Sequence, residues 1–442
     1  MSKHVIVGWG AAGMAAVEAI RTRDQNAQIV LFGEEQHKFY SRPGLAYLLT
    51  GAIPEEQLFP RSAQELSSLK VDIRHRRVVE LFPAKKQVAL DDGSCEDFDQ
   101  LLLAVGAQAV RPKLEGIDLA GVVTLDTLDD ARQILKLARR GRGAVVIGGG
   151  ITALELAEGL SARGLKTHYL LRGDRYWRGV LEQDEARIVE RGLAEEGVLV
   201  HHNTEIARIV GRNGKVAGVE LADGDRLRCD IVAVAIGIRP RISLAEQAGF
   251  STDRGILVDE NMRTSEEHVY AAGDVAQVFD PVSGEYVLDS LWWVARQQGA
   301  VAGASMTGAQ ASYNKPVAFN VTRIGGRTVT IIGALGGRDG KGGDPDTVAI
   351  ARGDSETWRD DQDSFSVEEQ SGECRVRIMI GEKFINGALV MGDQLLSKPL
   401  QDLISEQVDI RPIRTKLLDG GQESLKLLFD GWEKWRRTGA VI

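Results

Sequence analysis

The sequence predicts an α/β protein in which two βαβ domains are followed by a C-terminal α+β domain. Glycine loops near residues 8 and 148 each lie between a short apolar run and a helical run, and after Gly308 the pattern changes to strands followed by helices. With 442 residues the chain is too long for one ordinary core, so repeated units fit its length.

The first unit opens the chain. Residues 4–8 predict a buried strand, residues 11–23 a helix and residues 27–32 a second, parallel strand. The loop from Gly8 to Gly13 has the pattern GxGxxG, whose glycines allow a tight turn, close approach of a pyrophosphate and close helix packing. Glu34 follows the second strand where a ribose hydroxyl needs an acceptor, and Glu35 is the alternative. A dinucleotide is therefore expected here.

The second unit repeats this order at residues 143–147, 152–163 and 166–171. Its loop has alanine at the third glycine position, which the pattern tolerates. Leu171 and Arg172 stand where the acid is expected. An arginine there can accommodate a 2′-phosphate, which favours NADP, although Arg172 and Arg175 can equally form a solvated surface. The residues expected to contact this dinucleotide are Gly148, Gly150, Ile151, Thr152, Arg172 and Gly237.

The remaining pattern divides the chain into domains. Asp-Gly pairs at 92–93 and 223–224 predict β-hairpins, and the apolar runs 101–105 and 231–236 close the two units. The predicted domains are residues 1–110 with 238–312, residues 111–237, and residues 313–442. The third has predicted strands at 317–321, 328–332, 375–380 and 385–391, helices at 395–405 and 423–437, and a surface loop at 336–346.

Composition excludes several classes of function. The net charge is −9 and the pI about 5.5, which argues against a nucleic-acid partner, because phosphate binding needs a basic face. No apolar run reaches the length of a membrane span, and a strand begins almost at the N-terminus, so we expect a cytoplasmic protein without a standard export signal. Cys95, Cys229 and Cys374 are too far apart in sequence to form a redox pair or to ligate zinc or an iron–sulfur cluster.

Six segments together carry a resemblance: VIVGWGAAG, GEEQHKFYSRPGL, LLLAVGA, VVIGGGITALELA, VAIGIRP and VYAAGDVAQ. Over roughly residues 1–310 the chain resembles the FAD- and NAD(P)-dependent pyridine nucleotide-disulfide oxidoreductase superfamily. The resemblance implies two Rossmann-like domains in a glutathione-reductase-like arrangement, with FAD at the first loop and NAD or NADP at the second. The implied FAD contacts are Gly8, Gly10, Ala11, Ala12, Gly13, Glu34, Glu35, Arg42, Val79, Ala104, Gly106, Gly273, Asp274 and Trp292.

Within this superfamily the segment from Tyr40 to Leu45 resembles the branch of rubredoxin reductases, ferredoxin reductases and apoptosis-inducing flavoprotein. That branch implies that Arg42 helps to hold FAD, and a guanidinium suits a phosphate. Tyr47 departs from the lysine common in the branch. The resemblance implies that Glu155 lies near the nicotinamide, with an exposed helix charge as the alternative. Trp292 and Trp293 are expected to shield the flavin ring or to pack in the core.

The missing cysteine pair determines the expected route of electrons. Without a thiol relay, electrons must leave the flavin directly for an external acceptor such as an iron–sulfur partner, a quinone or oxygen. The segment 377–400 resembles flavin subunits of 2-oxoacid and tungsten aldehyde oxidoreductases and nitrite reductase large subunits. Trp432 and Trp435 lie three residues apart and either dock on a partner subunit or pack on their own domain.

We therefore interpret the chain as the FAD subunit of a tungsten aldehyde oxidoreductase or phenylglyoxylate dehydrogenase type of complex, hence part of a hetero-oligomer. Hydride passes between NAD(P)(H) and FAD, and single electrons pass to or from an iron–sulfur subunit. NAD is preferred over NADP because those relatives use NAD. The alternatives are a stand-alone rubredoxin or ferredoxin reductase and an NAD(H)-responsive interaction flavoprotein. No metal ligand and no catalytic side chain beyond the flavin is expected, Glu155 excepted.

Overall fold

The computed structural model describes residues 2–281, 284–335 and 374–439, and the backbone of residues 363–368. Its parallel sheets and covering helices give the α/β class that the sequence predicts. The third part of the chain is an antiparallel sheet with helices, which is the expected α+β arrangement.

The first βαβ unit has the predicted order. It consists of β1 (Lys3–Val7), α1 (Ala11–Arg23) and β2 (Gln28–Phe32), with β1 parallel to β2. The hairpin predicted at residues 92–93 is confirmed, because two antiparallel strands flank that turn. The elements that follow, up to residue 109, are α2 (Gly44–Thr50), α3 (Ala63–Ser68), β3 (Asp72–Arg74), β4 (Val78–Phe82), β5 (Gln87–Leu90), β6 (Cys95–Asp97), β7 (Gln100–Leu103) and β8 (Ala107–Ala109).

The second βαβ unit begins a separate parallel sheet. Its elements are β9 (Val122–Val123), α4 (Leu128–Ala138), β10 (Gly143–Ile147), α5 (Ile151–Ala162), β11 (Lys166–Leu170), α6 (Gln183–Glu195), β12 (Val198–His201), β13 (Ile206–Arg212), β14 (Lys215–Leu221), β15 (Arg226–Leu227) and β16 (Ile231–Val234). The parallel order is β12-β11-β10-β16-β9. β14 and β15 are antiparallel across residues 223–224, which confirms the second predicted hairpin.

The chain then returns to the first sheet. The returning elements are β17 (Ile238–Pro240), α7 (Ser243–Gln247), β18 (Ile256–Val258), β19 (Val269–Ala271), β20 (Ala276–Asp280), β21 (Glu285–Leu288) and α8 (Trp292–Met306). β19 pairs in parallel with β7 and completes the order β19-β7-β1-β2-β3. Two segments that are distant in sequence therefore build one sheet.

The C-terminal sheet is antiparallel, with the order β22-β23-β26-β25-β24. Its strands are β22 (Phe319–Ile324), β23 (Arg327–Gly333), β24 (Asp363–Glu368), β25 (Arg375–Ile380) and β26 (Ile385–Met391), and its helices are α9 (Ser397–Ser405), α10 (Arg414–Leu418) and α11 (Gly421–Thr438). The strand predicted at 317–321 was placed two residues early. The turn at Gly325 and Gly326, both with positive φ, pairs Ile324 with Arg327 and so determines where β22 lies. The loop predicted at 336–346 is outside the described residues.

The two faces of this C-terminal sheet contribute to different cores. Ile331, Leu389 and Met391 pack with the second parallel sheet, whereas their strand neighbours Ile332 and Val390 pack with α9 and α11. This alternation is the period of two of a strand buried on both sides. Trp432 is buried in the helical layer, where its Nε1 donates to Asp402 Oδ2 at 3.0 Å, and Trp435 packs against the same core. The two tryptophans therefore pack on their own domain.

Candidate active site

A cavity of about 1050 Å³ extends from the first glycine loop to the second parallel domain and to the C-terminal sheet. Most of the predicted FAD residues line it: Gly8, Gly10, Ala11, Ala12, Glu34, Glu35, Arg42, Val79, Ala104, Gly106, Gly273, Asp274 and Trp292. The second domain contributes Thr152 and Glu155 of α5, and the C-terminal sheet contributes Asn320, Val321 and Thr322 of β22. All three parts of the chain thus meet at one cavity.

The glycines of the first loop have distinct physical roles. A Cβ at Gly8, which has φ +113°, would lie 2.1 Å from the carbonyl oxygen of Ala104, and a Cβ at Gly13 would lie 2.1 Å from that of Gly8. Gly13 therefore packs against the loop and does not line the cavity. At Gly10 no described atom lies within 4 Å of the Cβ position. Because the N-terminus of α1 also has no side-chain cap, its backbone N–H groups can bind a pyrophosphate.

The second loop has the same construction. A Cβ at Gly148 would lie 2.0 Å from the carbonyl oxygen of Ala235, whereas Gly149 has open space at its Cβ position. Gly150 precedes α5 without a side-chain cap. Gly148, Gly150, Ile151, Arg172 and Gly237 lie outside the large cavity. The loop opens at the carboxyl edge of β10, beside the end of β11.

The two glutamates after β2 differ in exposure and in their hydrogen bonds. Glu34 is exposed and lies 3.4 Å from the Nε of Arg77. Glu35 accepts hydrogen bonds from the Tyr40 hydroxyl at 2.6 Å and from the Arg42 guanidinium at 2.5 Å. Arg42 also donates to the carbonyl oxygen of Asp126. Glu35 therefore orients Arg42, and Glu34 is the acid with the more accessible oxygens.

Residues that the sequence did not single out also face the cavity. Trp9 Nε1, Ser290 Oγ and Asn320 Nδ2 are buried atoms of lining residues, with no partner among the described residues. Buried polar groups are nearly always hydrogen-bonded, so these three indicate a polar ligand. FAD, with carbonyl, hydroxyl and phosphate groups, fits this set together with the uncapped first glycine loop. Trp9 lies inside the GxGxxG pattern, but no local pattern marks Asn320, which comes from another domain.

Aromatic side chains close one side of the cavity. Trp292 stacks on Phe39 with ring centroids 5.8 Å apart, and the Trp293 Nε1 donates to the carbonyl oxygen of Phe319 at 3.1 Å. Both tryptophans also line the cavity, so each has one packed side and one side towards the expected flavin. Tyr47 lines the cavity and is 45 % exposed, which leaves a phenol where the related branch has lysine.

A half-buried carboxyl group, that of Glu158, lies one turn beyond Glu155. Burial, with nearby Glu196, raises the pKa of Glu158 to about 8. Its Oε1 accepts the Gly325 N–H at 2.9 Å, which connects α5 to the β22–β23 turn. Glu155 faces the cavity while Glu158 faces the C-terminal sheet, so one helix contacts both the active site and the third domain.

The lining contains no cysteine. Across the described ranges, no group of three or more His, Cys, Asp or Glu side chains is placed to hold a metal ion. None of the described helices is both long and apolar enough to cross a membrane.

Comparisons with known proteins agree with this geometry. The family model described as pyridine nucleotide-disulphide oxidoreductase matches residues 2–299. An NADH oxidase of Methanocaldococcus jannaschii is 33 % identical over 340 residues, covering 73 % of this chain and 74 % of the relative. The ferredoxin–NAD(+) reductase component of the biphenyl dioxygenase system of Paraburkholderia xenovorans is 35 % identical over 332 residues, with 74 % and 80 % covered.

Two further similarities cover most of the chain. Subunit epsilon of the NADH-dependent phenylglyoxylate dehydrogenase of Aromatoleum evansii is 29 % identical over 338 residues, covering 75 % of this chain and 79 % of the subunit. The structure of a ferredoxin reductase from Rhodopseudomonas palustris superposes with a TM-score of 0.81, covering 93 % of this chain and 96 % of the other, at 23 % identity. The latter similarity establishes the fold, including the third domain.

Proposed function

We propose that this chain, which belongs to the pyridine nucleotide-disulphide oxidoreductase family, transfers electrons between a nicotinamide dinucleotide and an iron–sulfur partner through bound FAD. The family uses FAD and NAD(P)H as its cofactors. The observation that carries the proposal is the single cavity that joins the first glycine loop to α5 of the second domain and contains no thiol. With no cysteine to accept electrons beside the flavin, an external acceptor has to receive them.

The chemistry that bound FAD would supply is hydride exchange with the nicotinamide ring and single-electron exchange with the iron–sulfur acceptor. The chain binds and orients the two dinucleotides. We assign the pyrophosphate of FAD to Gly10 and the N-terminus of α1, its adenosine ribose to Glu34, and its ribityl chain to Asp274. Arg42 is held by Glu35 and supplies positive charge beside the flavin dinucleotide. Trp292 and Trp293 exclude water from one side of the flavin site.

The same reasoning assigns the nicotinamide dinucleotide to the second loop. Gly148, Gly150, Ile151 and Gly237 would surround its pyrophosphate. Thr152 and Glu155 line the shared cavity, where the nicotinamide ring would meet the flavin. In this placement both dinucleotides would be bound with the nicotinamide ring next to the flavin, so hydride transfer would need no further diffusive encounter. Val79, Ala104, Gly106 and Gly273 complete the FAD site as backbone contacts.

The iron–sulfur partner is supported by the relative that is a ferredoxin–NAD(+) reductase component. Membership of a complex is supported by the relative that is a subunit of phenylglyoxylate dehydrogenase. We propose that the chain is such a flavin subunit within a hetero-oligomer. A stand-alone rubredoxin or ferredoxin reductase is the second candidate, since relatives with those names share about a third of the sequence. A cytoplasmic location remains a prediction.

Purification from the native host tests the proposal. The expected result is a flavin-containing complex in which this chain co-elutes with an iron–sulfur polypeptide, and in which NAD(P)H bleaches both the flavin and the iron–sulfur absorbance. A monomer whose flavin is reoxidised rapidly by oxygen, with no faster acceptor among added ferredoxin and rubredoxin, would instead support an oxidase like the relative from Methanocaldococcus jannaschii. A long-lived reduced flavin, without turnover on any of these acceptors, would support the interaction flavoprotein.

A further inference from the structure

A group of buried polar side chains lies behind the cavity wall, around α8. Its members are Asp289, Gln298 and Tyr313, which come from before, within and after this helix. Asp289 Oδ2, Gln298 Nε2 and the Tyr313 hydroxyl are buried and have no hydrogen-bond partner in the described part of the chain. Burial first, and then Asp289, raises the pKa of Tyr313, so this hydroxyl stays neutral. Of these three residues, only Asp289 can therefore change its charge.

This group is attached to the wall of the cavity at two points. Asp289 is buried and immediately precedes Ser290, which lines the cavity and whose Oγ also has no partner among the described residues. The Oε1 of Gln298 accepts the N–H of Gly273, another lining residue, at 2.8 Å. Asp289 itself does not line the cavity. Its carboxyl group is therefore one residue away from the space that is expected to hold the flavin.

A buried cation belongs to the same region. The Nζ of Lys315 lies 3.7 Å from Asp280 Oδ2, and the two side chains are only 6 % and 4 % exposed. Lysine is almost never buried unless it is paired. Burial raises the pKa of Asp289 to about 6, while Lys315 opposes this increase and Asp274 adds to it. The charged groups that act on Asp289 are therefore Lys315 and Asp274, and Asp280 shares the same lysine.

Reduction of a flavin changes the charge that this region faces. A hydride carries two electrons and one proton, so its transfer to bound FAD leaves the flavin with one more negative charge. Such a charge disfavours the ionised form of a buried carboxyl group nearby. Asp289 is mostly ionised at pH 7 before reduction, because its pKa is about 6. A rise of this pKa to above 7 is sufficient to protonate it.

We infer that Asp289 takes up a proton from solvent when the bound flavin is reduced, and releases it when the flavin is reoxidised. On reduction, a hydride passes from the nicotinamide to the flavin and a solvent proton binds the Asp289 carboxylate, so the negative charge gained by the flavin is balanced. On reoxidation, two electrons leave singly for the acceptor, and the flavin proton and the Asp289 proton both return to solvent. The inference rests on the proposed function in assigning FAD to this cavity.

Infrared difference spectra of the FAD-loaded protein, reduced electrochemically at pH 7, give the first test. Reduction is expected to produce the carbonyl stretch of a protonated carboxyl group, which shifts in deuterated water, and to weaken the carboxylate bands. Asp289→Asn should lose this carbonyl band and keep the flavin bands. Asp402→Asn, in the helical layer of the third domain, is the matched control and should keep both. Absence of the band from the unmodified protein, or its persistence in Asp289→Asn, would overturn the inference.

Proton uptake, followed with a pH indicator during the same reduction in weakly buffered solution, gives the second test. Asp289→Asn should take up about one proton per flavin fewer than the unmodified protein at pH 7. Equal uptake by the two proteins would overturn the inference.

Lys315→Met tests the assignment in a protein that keeps the carboxyl group, and it decides the question if Asp289→Asn does not retain FAD. Without the cation, Asp289 should already be protonated at pH 7 in the oxidised protein. The carbonyl band should therefore be absent from the difference spectrum at pH 7 and return about one pH unit or more higher. An unchanged band at pH 7 would show that Lys315 does not control this group, contrary to the inference.

Electrochemical reduction requires neither NAD(P)H nor an iron–sulfur partner, so the outcomes separate the two proposals. A flavin that NAD(P)H reduces and an iron–sulfur protein reoxidises, without the carbonyl band, overturns the inference alone. The carbonyl band in a protein whose flavin is reduced by neither nucleotide overturns the proposed electron transfer and leaves the role of Asp289 intact.

Discussion

At the scale of single residues, Asp274 is the clearest test of the FAD site. It follows Gly273, whose N–H donates to the buried Gln298 Oε1 at 2.8 Å, and it lines the cavity. A carboxylate held on such a rigid turn can accept two hydroxyl hydrogen bonds from the ribityl chain. Asp274→Ala should weaken FAD binding about tenfold or more, measured by the ratio of flavin to protein absorbance after gel filtration. Asp118→Ala, on an exposed loop, is the control, and full flavin retention by Asp274→Ala would refute the assignment.

Glu158 makes stability depend on pH. Its pKa is raised from 4.5 to about 8 by burial first, and then by Glu196. The native state therefore binds a proton that the unfolded state releases, so stability falls as pH rises from 4.5 towards 8, at up to about 1.4 kcal/mol per unit. Glu158→Gln keeps an acceptor for the Gly325 N–H and avoids this loss.

The melting temperature of Glu158→Gln is expected to exceed that of the unmodified protein. This difference should grow from pH 5 to pH 8 and reach about 3 °C or more at pH 8. Glu220→Gln is the control, because Glu220 is bonded by Arg208 and Arg226, which lower its pKa. The difference in melting temperature between Glu220→Gln and the unmodified protein should not grow between pH 5 and pH 8. A constant margin for Glu158→Gln would show that its carboxyl titrates normally.

Local sequence could predict where side chains stand along the chain but not what they contact. Glu34 and Glu35 were expected at the ribose, and both line the cavity. That Glu35 instead holds Arg42 depends on Tyr40 and on the Asp126 carbonyl, which is 84 residues away from Arg42. Asn320 was missed for the same reason, since its place at the cavity depends on how the third domain docks.

At the scale of elements, helices α1 and α8 cross at small residues, and this crossing holds the first glycine loop in place. A Cβ at Gly299 would lie 2.1 Å from the Ala12 carbonyl oxygen, and one at Gly303 would lie 2.5 Å from that of Ala16. Helices α1 and α8 are therefore in backbone contact, which explains why α1 is buried on nearly all sides rather than amphipathic. The sequence predicted α1 from its length and loop, but its partner lies nearly 300 residues later.

A buried ion pair connects β25 to α6. The guanidinium of Arg377 donates to both carboxylate oxygens of Glu185 at 2.9 and 3.1 Å, and both side chains are almost fully buried. Arg377 also donates to the carbonyl oxygens of Val180 and Leu335. Because Arg375 and Arg377 alternate with apolar residues, local pattern alone suggests a strand with one solvated face, whereas that face is buried against the second domain.

Removing one partner of the Arg377–Glu185 ion pair should destabilise the folded protein. Arg377→Ala removes the bidentate partner of the buried Glu185 carboxylate, which then keeps only the Arg375 Nε at 3.6 Å and the Glu182 N–H at 2.8 Å among these contacts, and it is expected to lower the free energy of unfolding by about 3 kcal/mol. Replacing both, with Arg377→Met and Glu185→Leu, should recover much of that loss, because two desolvated charges are exchanged for apolar packing. Chemical denaturation followed by tryptophan fluorescence measures both variants.

Arg437→Ala is the matched control, since its ion pair with Glu433 is exposed on α11 and is worth at most about 0.5 kcal/mol. If Arg377→Ala is no more destabilising than this control, the pair does not hold the C-terminal sheet to the second domain.

At the scale of the whole molecule, the fold was largely predictable, because the two glycine loops determine the order and parallel pairing of their strands. The docking of the third domain was not. Gly192 of α6 would place a Cβ 1.9 Å from the Gly325 carbonyl oxygen, so the β22–β23 turn lies directly on that helix. Such a contact depends on two glycines 133 positions apart, neither of which belongs to a motif.

The positions of the three cysteines lead to a prediction for the transfer of electrons from NAD(P)H through the flavin to the acceptor. Cys95 is exposed on β6, Cys229 is buried before β16 with a pKa that burial raises to about 12, and Cys374 precedes β25. None lines the cavity. A thiol with so high a pKa is not a nucleophile at neutral pH.

The variant with Cys95→Ser, Cys229→Ala and Cys374→Ser should therefore retain flavin reduction by NAD(P)H, and reduction of the iron–sulfur acceptor, within about twofold of the unmodified rates. Its melting temperature should fall slightly, because Cys229→Ala leaves a small cavity beside Val232 in the core of the second domain. The single variant Cys229→Ala separates that packing effect from chemistry. Loss of acceptor reduction with normal flavin reduction would reveal a thiol step between the flavin and the acceptor, and the direct transfer argued here would then be wrong.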